Sequence, residues 1–371
     1  MMNRRRLITA ATIAAAAAGA GGVLSFHALR RDNQAYEQAV QALWRRAPDG
    51  TPGPSGLVQE LVRHATLAPS SHNTQCWKFG GDEKSISIRP DFGRRCPVVD
   101  PDDHHLFVSL GCAAENLVQA AAAMGFRGDA SFRDGPQEAL DIALEPAKPV
   151  DSALFQAITR RQSTRAEFDG RPLSNEELKT LEIAGTGNGV RVLLLTGQQA
   201  LESVLDYVVQ CNTAQMRDPA FVRELKAWIR FNGAQAVDTG DGLFAKSSGN
   251  PAMPGWLGPR AFDLFFTEKA ENDKYARHIR SSAGIAVFVS EADDKRHWLE
   301  AGRAFERFAL QATALGVRTA HLNQPVEVSR LRPRFAESLG IASGRPDLVV
   351  RFGRGPETPR SLRRPVDAVW A

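Results

Sequence analysis

The period of the hydrophobic pattern switches repeatedly along the chain, between the spacing of amphipathic helices and the alternation of strands. Residues 57–67 read as a helix, 85–89 as a strand, 106–124 as a long Ala-rich helix and 139–144 as a strand. A second series opens with helices at 152–161 and 175–184, the latter started by Ser174 with Glu177 three residues on, a capping box. Strand 190–195, helix 199–216, strand 285–290, helix 298–315 and strand 348–352 complete it. Interleaving of this kind predicts an α+β fold, and the two roughly parallel series suggest an old duplication, visible in element order and not in residues. Ahead of both, residues 30–55 suggest a charged helix running into the Pro/Gly break Asp49-Gly50-Thr51-Pro52-Gly53-Pro54.

Residues 218–280 break the rhythm, with Trp228, Phe231, Phe244, Trp256, Phe262 and Phe265 set among Gly, Pro and Asn. Such an insertion reads either as a lid packing down on a site or as a second small core.

Composition narrows the picture. With 371 residues, 43% hydrophobic and 24% charged, the chain is that of a globular protein needing no metal or disulfide staple. Net charge is only +4, Lys supplies nine of the 46 basic residues, and no basic run carries interleaved aromatics, so nucleic acid is not expected as a partner. Cys76, Cys96, Cys112 and Cys211 show no metal spacing and read as small buried hydrophobes, a disulfide staying open outside the cytoplasm. Residues 1–30 pair Arg4-Arg5-Arg6 with an Ala/Gly-rich stretch free of acids, which predicts a Tat-type export signal and a periplasmic destination. An uncleaved membrane anchor is the alternative, and the glycines argue against it. Tat carries folded proteins, often loaded with a cofactor, so the signal favours a bound redox group.

Several motifs lead nowhere. Gly185-Thr186-Gly187-Asn188-Gly189 follows a helix and precedes a strand, the reverse of a dinucleotide fingerprint, and reads as a helix cap and turn. Ser70, Ser71 and His72 are chain neighbours without a nucleophile elbow, which argues against a hydrolase. Asp100-Pro101-Asp102-Asp103-His104-His105 reads as a helix N-terminus with acids in its first turn, its two histidines pointing apart and so unable to share one metal ion. Asp238-Thr239-Gly240-Asp241-Gly242 lacks the rest of a calcium loop.

Two stretches remain. Ala68-Pro69-Ser70-Ser71-His72-Asn73-Thr74-Gln75-Cys76-Trp77 concentrates short uncharged hydrogen-bonders. Arg161-Gln162-Ser163-Thr164-Arg165 alternates two guanidiniums around a hydroxyl, an anion or polyol cradle if extended, or a basic helix end if not. Together with Phe168-Asp169, Asp100-Pro101, Ser281-Ser282-Ala283-Gly284 and Arg363-Arg364-Pro365, these resemble the FMN-dependent nitroreductase family, in particular its Acg-type branch of two fused halves.

The resemblance implies a nitroreductase-like fold in two tandem halves forming a pseudo-dimer. The halves would be residues 31–149 and 150–371, the latter carrying the insertion 218–280. It implies FMN as cofactor, with phosphate and ribityl oxygens held by Arg161, Gln162, Ser163 and Arg165 and by the terminal Arg363 or Arg364. Pro69, Ser70, Ser71, Asn73 and Gln75 would contact the flavin from the other half, and His321, Leu322 and Asn323 would pass near its ring. No side-chain nucleophile is implied. The loop carries only one half of the expected pair of motifs and the cradle the other, so a monomer with one flavin between halves is expected. The implied activity is hydride transfer from a small-molecule donor to a nitroarene or quinone; the alternative is a protein that sequesters flavin under its lid. Cys76 departs from the family's usual proline.

Overall fold

The computed structural model describes residues 31–46 and 54–371; the expected export signal at 1–30 lies outside them. A helix through 31–43 (α1) precedes α2 (Pro54–Thr66), the hairpin β1 (Trp77–Gly81) and β2 (Ser85–Pro90), the long α3 (His104–Ala123), and β3 (Phe126–Arg133) with β4 (Ala139–Pro146). An exposed connection, 147–152, leads to α4 (Ala153–Ile158), α5 (Asn175–Gly185), β5 (Val190–Leu195) and α6 (Gln198–Met216). The insertion folds as α7 (Pro219–Ala227), β6 (Ile229–Arg230), α8 (Gly233–Thr239), β7 (Leu243–Phe244), α9 (Gly258–Phe265) and α10 (Glu268–Arg280). The chain closes with β8 (Gly284–Ser290), α11 (Lys295–Ala314), β9 (Arg318–His321), α12 (Gln324–Glu327), α13 (Arg332–Ser338), β10 (Arg345–Gly353) and α14 (Val366–Val369).

The two series are the same unit. Each half builds a four-stranded antiparallel sheet, ordered β1-β2-β4-β3 in one and β5-β8-β10-β9 in the other, that is first, second, fourth, third. In each, a 20-residue helix joins the second strand to the third and ends at a left-handed glycine, Gly125 (φ 88°) or Gly316 (φ 71°). The fold is therefore α+β in two tandem halves. The halves share one core, because Phe107, Leu110 and Leu117 of α3 join Trp298, Phe305 and Phe308 of α11.

The helices cross at Gly111 and Gly302, the eighth residue of α3 and of α11. A Cβ on Gly111 would lie 2.0 Å from the Leu299 carbonyl oxygen, and one on Gly302 2.0 Å from that of Val108. Only glycine permits that backbone approach.

The sheets differ in what covers them. In the first, β3 alternates half-buried and exposed residues, as a sheet with one wet face must. In the second, β8 and β10 are buried throughout, since α11 lies on one face and α6, α12 and α13 close the other around Val204, Val287 and Phe335. Strand-like continuous apolar runs follow from burial on both faces.

Candidate active site

The loop between α2 and β1 is bent into a form that side chains rarely adopt. His72 (φ 48°), Asn73 (φ 53°) and Gln75 (φ 54°) are all left-handed without being glycine, a cost the surroundings must sustain. They do so through the amides. Asn73 Nδ2 donates to the carbonyls of Gly242 (3.0 Å) and Leu362 (3.1 Å), and Gln75 Nε2 donates to that of Gly240 (2.9 Å). Gln75 Oε1 accepts from the backbone N–H of Arg364 (2.8 Å). The amides thus tie the loop to the insertion and to the C-terminal arm. Pro69, Ser70 and Ser71 face the opposite way, into a cavity of about 580 Å³.

Both halves and the insertion build that cavity. The first half gives Ser70, Ser71 and His72 and, from α3, His105, Ser109 and Cys112. The second gives Arg165, Asn212 and Gln215 of α6, His321, Asn323 and Gln324. The insertion roofs it with Phe221, Phe231, Phe262, Phe265, Phe266 and Tyr275. An aromatic cover over a few convergent polar groups is the usual make-up of a small-molecule site.

Arg165 has no ion-pair partner and no side-chain hydrogen bond among the described residues, though burial pushes its guanidinium below the ordinary arginine range. Arg165 is half-buried, and a partly desolvated cation without a carboxylate is well placed for a ligand that supplies the anion. Two further polar atoms at the cavity are buried without a partner, His321 Nδ1 and Gln324 Oε1. Burial, reinforced by Arg165, pushes His321 down to about 3, so its imidazole is neutral and free to accept or donate.

The other expected site residues stand behind this wall. Arg161 is buried against Glu306, Nε to Oε1 3.1 Å, and donates to the Leu67 carbonyl at 3.0 Å. Gln162 Oε1 accepts from Thr358, backbone N–H at 2.7 Å and Oγ1 at 2.9 Å. Ser163 bridges in parallel to Thr319, which places the segment beside β9 as an extended strand edge. Leu322 sits in the core behind the second sheet. Arg363 donates to the carbonyls of Thr66 (2.7 Å), Leu67 (3.1 Å) and Ala68 (3.0 Å) and to Asn73 Oδ1 (2.9 Å). Arg364 folds its side chain back on the Ala368 carbonyl.

Glu306 carries a testable consequence. Burial pushes its carboxyl up to about 7 against the pull of Arg161. A glutamate ionising near 4.5 when unfolded and near 7 here stabilises fully below pH 4.5, and that stability is lost as pH rises to 7, on the order of 3 kcal/mol. Glu306→Gln is expected to remove this segment of the pH dependence, read by urea unfolding at pH 5 and pH 8. An unchanged pH 5-to-8 difference would refute it.

Sequence reasoning passed over Asn212 and Gln215, three apart on one face of α6, and His105. On α6 the available signal was that Asn212 and Gln215 continue the stripe of Leu201, Val204, Leu205 and Val208 at helical spacing. The sequence places the acids of Asp100-Pro101-Asp102-Asp103 at the N-terminus of α3 without showing which of them caps it. In the structure Asp100 caps, its two oxygens accepting the N–H groups of His105 and Leu106 at 3.0 Å each, while Asp103 is left-handed and makes no side-chain cap. That sharp entry turns the rings of His104 and His105 together, Nδ1 to Nδ1 3.3 Å, where ordinary helical spacing predicts divergence.

No protein-family model matches the chain. Over 306 residues it is 27% identical to "Putative NAD(P)H nitroreductase Rv3131" of Mycobacterium tuberculosis, covering 81% of this chain and 85% of that protein. Over 327 residues it is 23% identical to "Putative NAD(P)H nitroreductase acg" of the same organism, covering 85% and 95%. Among solved structures, the FMN-dependent nitroreductase NfnB from Mycobacterium smegmatis in complex with NADPH is 14% identical, covers 58% of this chain and 91% of its own, and has a TM-score of 0.36. The similarity along most of the sequence is thus to oxidoreductases named for nitroreduction.

Proposed function

We propose that the chain is an FMN-dependent oxidoreductase of the nitroreductase type, holding one flavin between its halves and passing hydride equivalents to a nitroarene or quinone. The observation that carries this reading is Arg165, an unpaired cation in an aromatic-roofed cavity whose walls come from both halves. The residues fit the cofactor. Ser70, Ser71, Asn323 and Gln324 offer donors and acceptors for a neutral, polar ring edge and a hydroxylated chain, and Arg165 offers charge for a phosphate. Arg161 and Arg363 add positive potential from behind the wall; direct contact would need them to exchange present partners. When bound, FMN supplies the hydride chemistry, and the protein supplies position, water exclusion and charge. Export through residues 1–30 and a monomeric state belong to the same proposal.

Purified protein is expected to be yellow, with flavin absorbance near 450 nm and a flavin-to-chain ratio near one. Arg165→Ala is expected to weaken flavin binding by about tenfold to a hundredfold, the usual worth of a hydrogen bond to a charged group. Colourless protein that takes up no added FMN would reject the reading.

A second reading, a flavin-sequestering protein, is favoured by the insertion, which covers the cavity where a second nucleotide must enter. Anaerobic mixing with NADH or NADPH separates the two. Bleaching at roughly 10 per second, the median for enzymes, supports turnover, and no bleaching supports storage.

A further inference from the structure

His105 lines the cavity and has a buried file of proton carriers behind it. Asn323 fixes the orientation. Its Oδ1 accepts the Val349 N–H at 3.0 Å, so its Nδ2 is the donor end, and that atom lies 3.1 Å from His105 Nε2. His105 Nε2 is therefore an acceptor, and the neutral ring carries its hydrogen on Nδ1. Nδ1 faces His104 Nδ1 at 3.3 Å and Asp100 Oδ1 at 3.5 Å. His104 in turn places Nε2 2.9 Å from Asp347 Oδ1, and Asp347 accepts from the Ser290 N–H and hydroxyl. His105, His104 and Asp347 are 7%, 1% and 0% exposed, and of the three His105 is the one that lines the cavity.

We infer that His105, His104 and Asp347 form an internal proton store for the cavity, with His105 Nε2 as its port. The inference rests on the oxidoreductase reading. Discharged, the file holds hydrogens on His105 Nδ1 and His104 Nε2, with Asp347 ionised. Loading one proton at the port shifts each hydrogen along: His105 then carries Nε2–H, His104 carries Nδ1–H and Asp347 becomes a neutral acid. No buried charge remains on the three groups. The loaded Nε2–H opposes the Asn323 Nδ2–H, so that contact opens and the port turns its hydrogen to the cavity.

The chemistry requires such a proton. A dihydronicotinamide donor gives a hydride equivalent, two electrons with one hydrogen. A quinone taking it up needs one further proton to become the hydroquinone, and water supplies one proton per turnover. With the insertion closed over the acceptor, His105 Nε2 releases that proton to the quinone oxygen and the file returns to its discharged form. Burial pushes Asp347 up to about 7 against Ser290 and against Arg345, whose Nε lies 3.5 Å from Asp347 Oδ1, so it changes state near neutrality. Asp100 and Glu327 raise His105 against its burial, Arg345 opposes them, and His72 and His321 face the same space.

The test uses the full chain labelled with ¹⁵N at histidine. Between pH 8 and pH 6, two-bond ¹H–¹⁵N correlations are expected to show His105 moving from Nδ1–H to Nε2–H and His104 from Nε2–H to Nδ1–H in one step. Asp347→Asn is expected to abolish that step. Histidines that keep their tautomers across this range, that titrate unchanged in Asp347→Asn, or that bind added zinc stoichiometrically would overturn the inference. A second readout follows reoxidation of the dithionite-reduced protein by benzoquinone. His105→Gln is expected to slow it about 100-fold and flatten its pH profile, the scale of a lost general acid. An unaltered profile overturns the proton store; colourless protein defeats the flavin reading while leaving the tautomer experiment decisive.

Discussion

Gly302→Ala is expected to destabilise the protein by about 4 kcal/mol or more, a loss seen only when a substitution breaks a defined packing constraint. The added methyl would meet the Val108 carbonyl oxygen at 2.0 Å, its carbon at 2.8 Å and the Cys112 nitrogen at 3.1 Å. These are backbone atoms of α3, which cannot swing aside as a flexible side chain would. Relief requires the two long helices to separate, and their separation opens the shared core of Phe107, Trp298, Phe305 and Phe308. Gly111→Ala is expected to do the same from the other side, against Leu299 and Arg303. Because one separation relieves both clashes, the double substitution should cost clearly less than the sum. Guanidinium unfolding midpoints, or loss of soluble protein, read the effect. A cost below about 1 kcal/mol for both single variants, the size of an ordinary substitution, would show that the helices do not cross at these glycines.

Arg363→Ala is expected to cost on the order of 3–5 kcal/mol, the scale for stripping buried polar groups of a charged partner. Five acceptors depend on that guanidinium, the three consecutive carbonyls of Thr66, Leu67 and Ala68, the carbonyl of Leu362 and the side chain of Asn73. Its plane also lies over Trp44, centroid distance 5.3 Å, so the residues following α1 are held as well. Thermal melts of flavin-free protein separate this structural role from phosphate binding. A purely phosphate-binding arginine would leave the melting point of the flavin-free protein unchanged and lower only that of the loaded one. Arg363→Lys should recover little, since one ammonium cannot reach acceptors spread around a planar fork.

The elements with strong periodicity were legible in the sequence. Strand 190–195 has the bounds expected, and the capping box at Ser174 and Glu177 is formed in both directions. Short or weakly patterned elements were not: β3 and β9 escaped, the first because Gly128 and Asp129 dilute its alternation, the second because it has four residues. The duplication was visible as element order, whereas the common strand order and the paired glycines need three dimensions. For the site, spacing showed which segments carry unusual polarity but not which way each side chain turns. Asn73 and Gln75 look equivalent to Ser70 and Ser71 in the sequence. Left-handed backbone at 72, 73 and 75 rotates the amides outward to the C-terminal arm and leaves the serines facing the cavity. His105 was hidden for a related reason, since Asp103's left-handed turn brings together two rings that an uninterrupted helix would hold apart.

The C-terminal arm leaves the second sheet at β10, crosses to the first half, passes Asn73 through Arg363, and ends with the Ala371 N–H donating to the Phe79 carbonyl at 2.8 Å. Among the described residues the peptide link between the halves is the largely exposed segment 147–152. Joint and arm therefore divide two duties. The peptide link decides which halves are partners, by making the effective concentration of one for the other permanent, while the arm and the glycine crossing decide how firmly they hold. A gene fusion of this form can let each half lose whatever duplicate parts the other retains, because a half never again has to recognise a copy of itself.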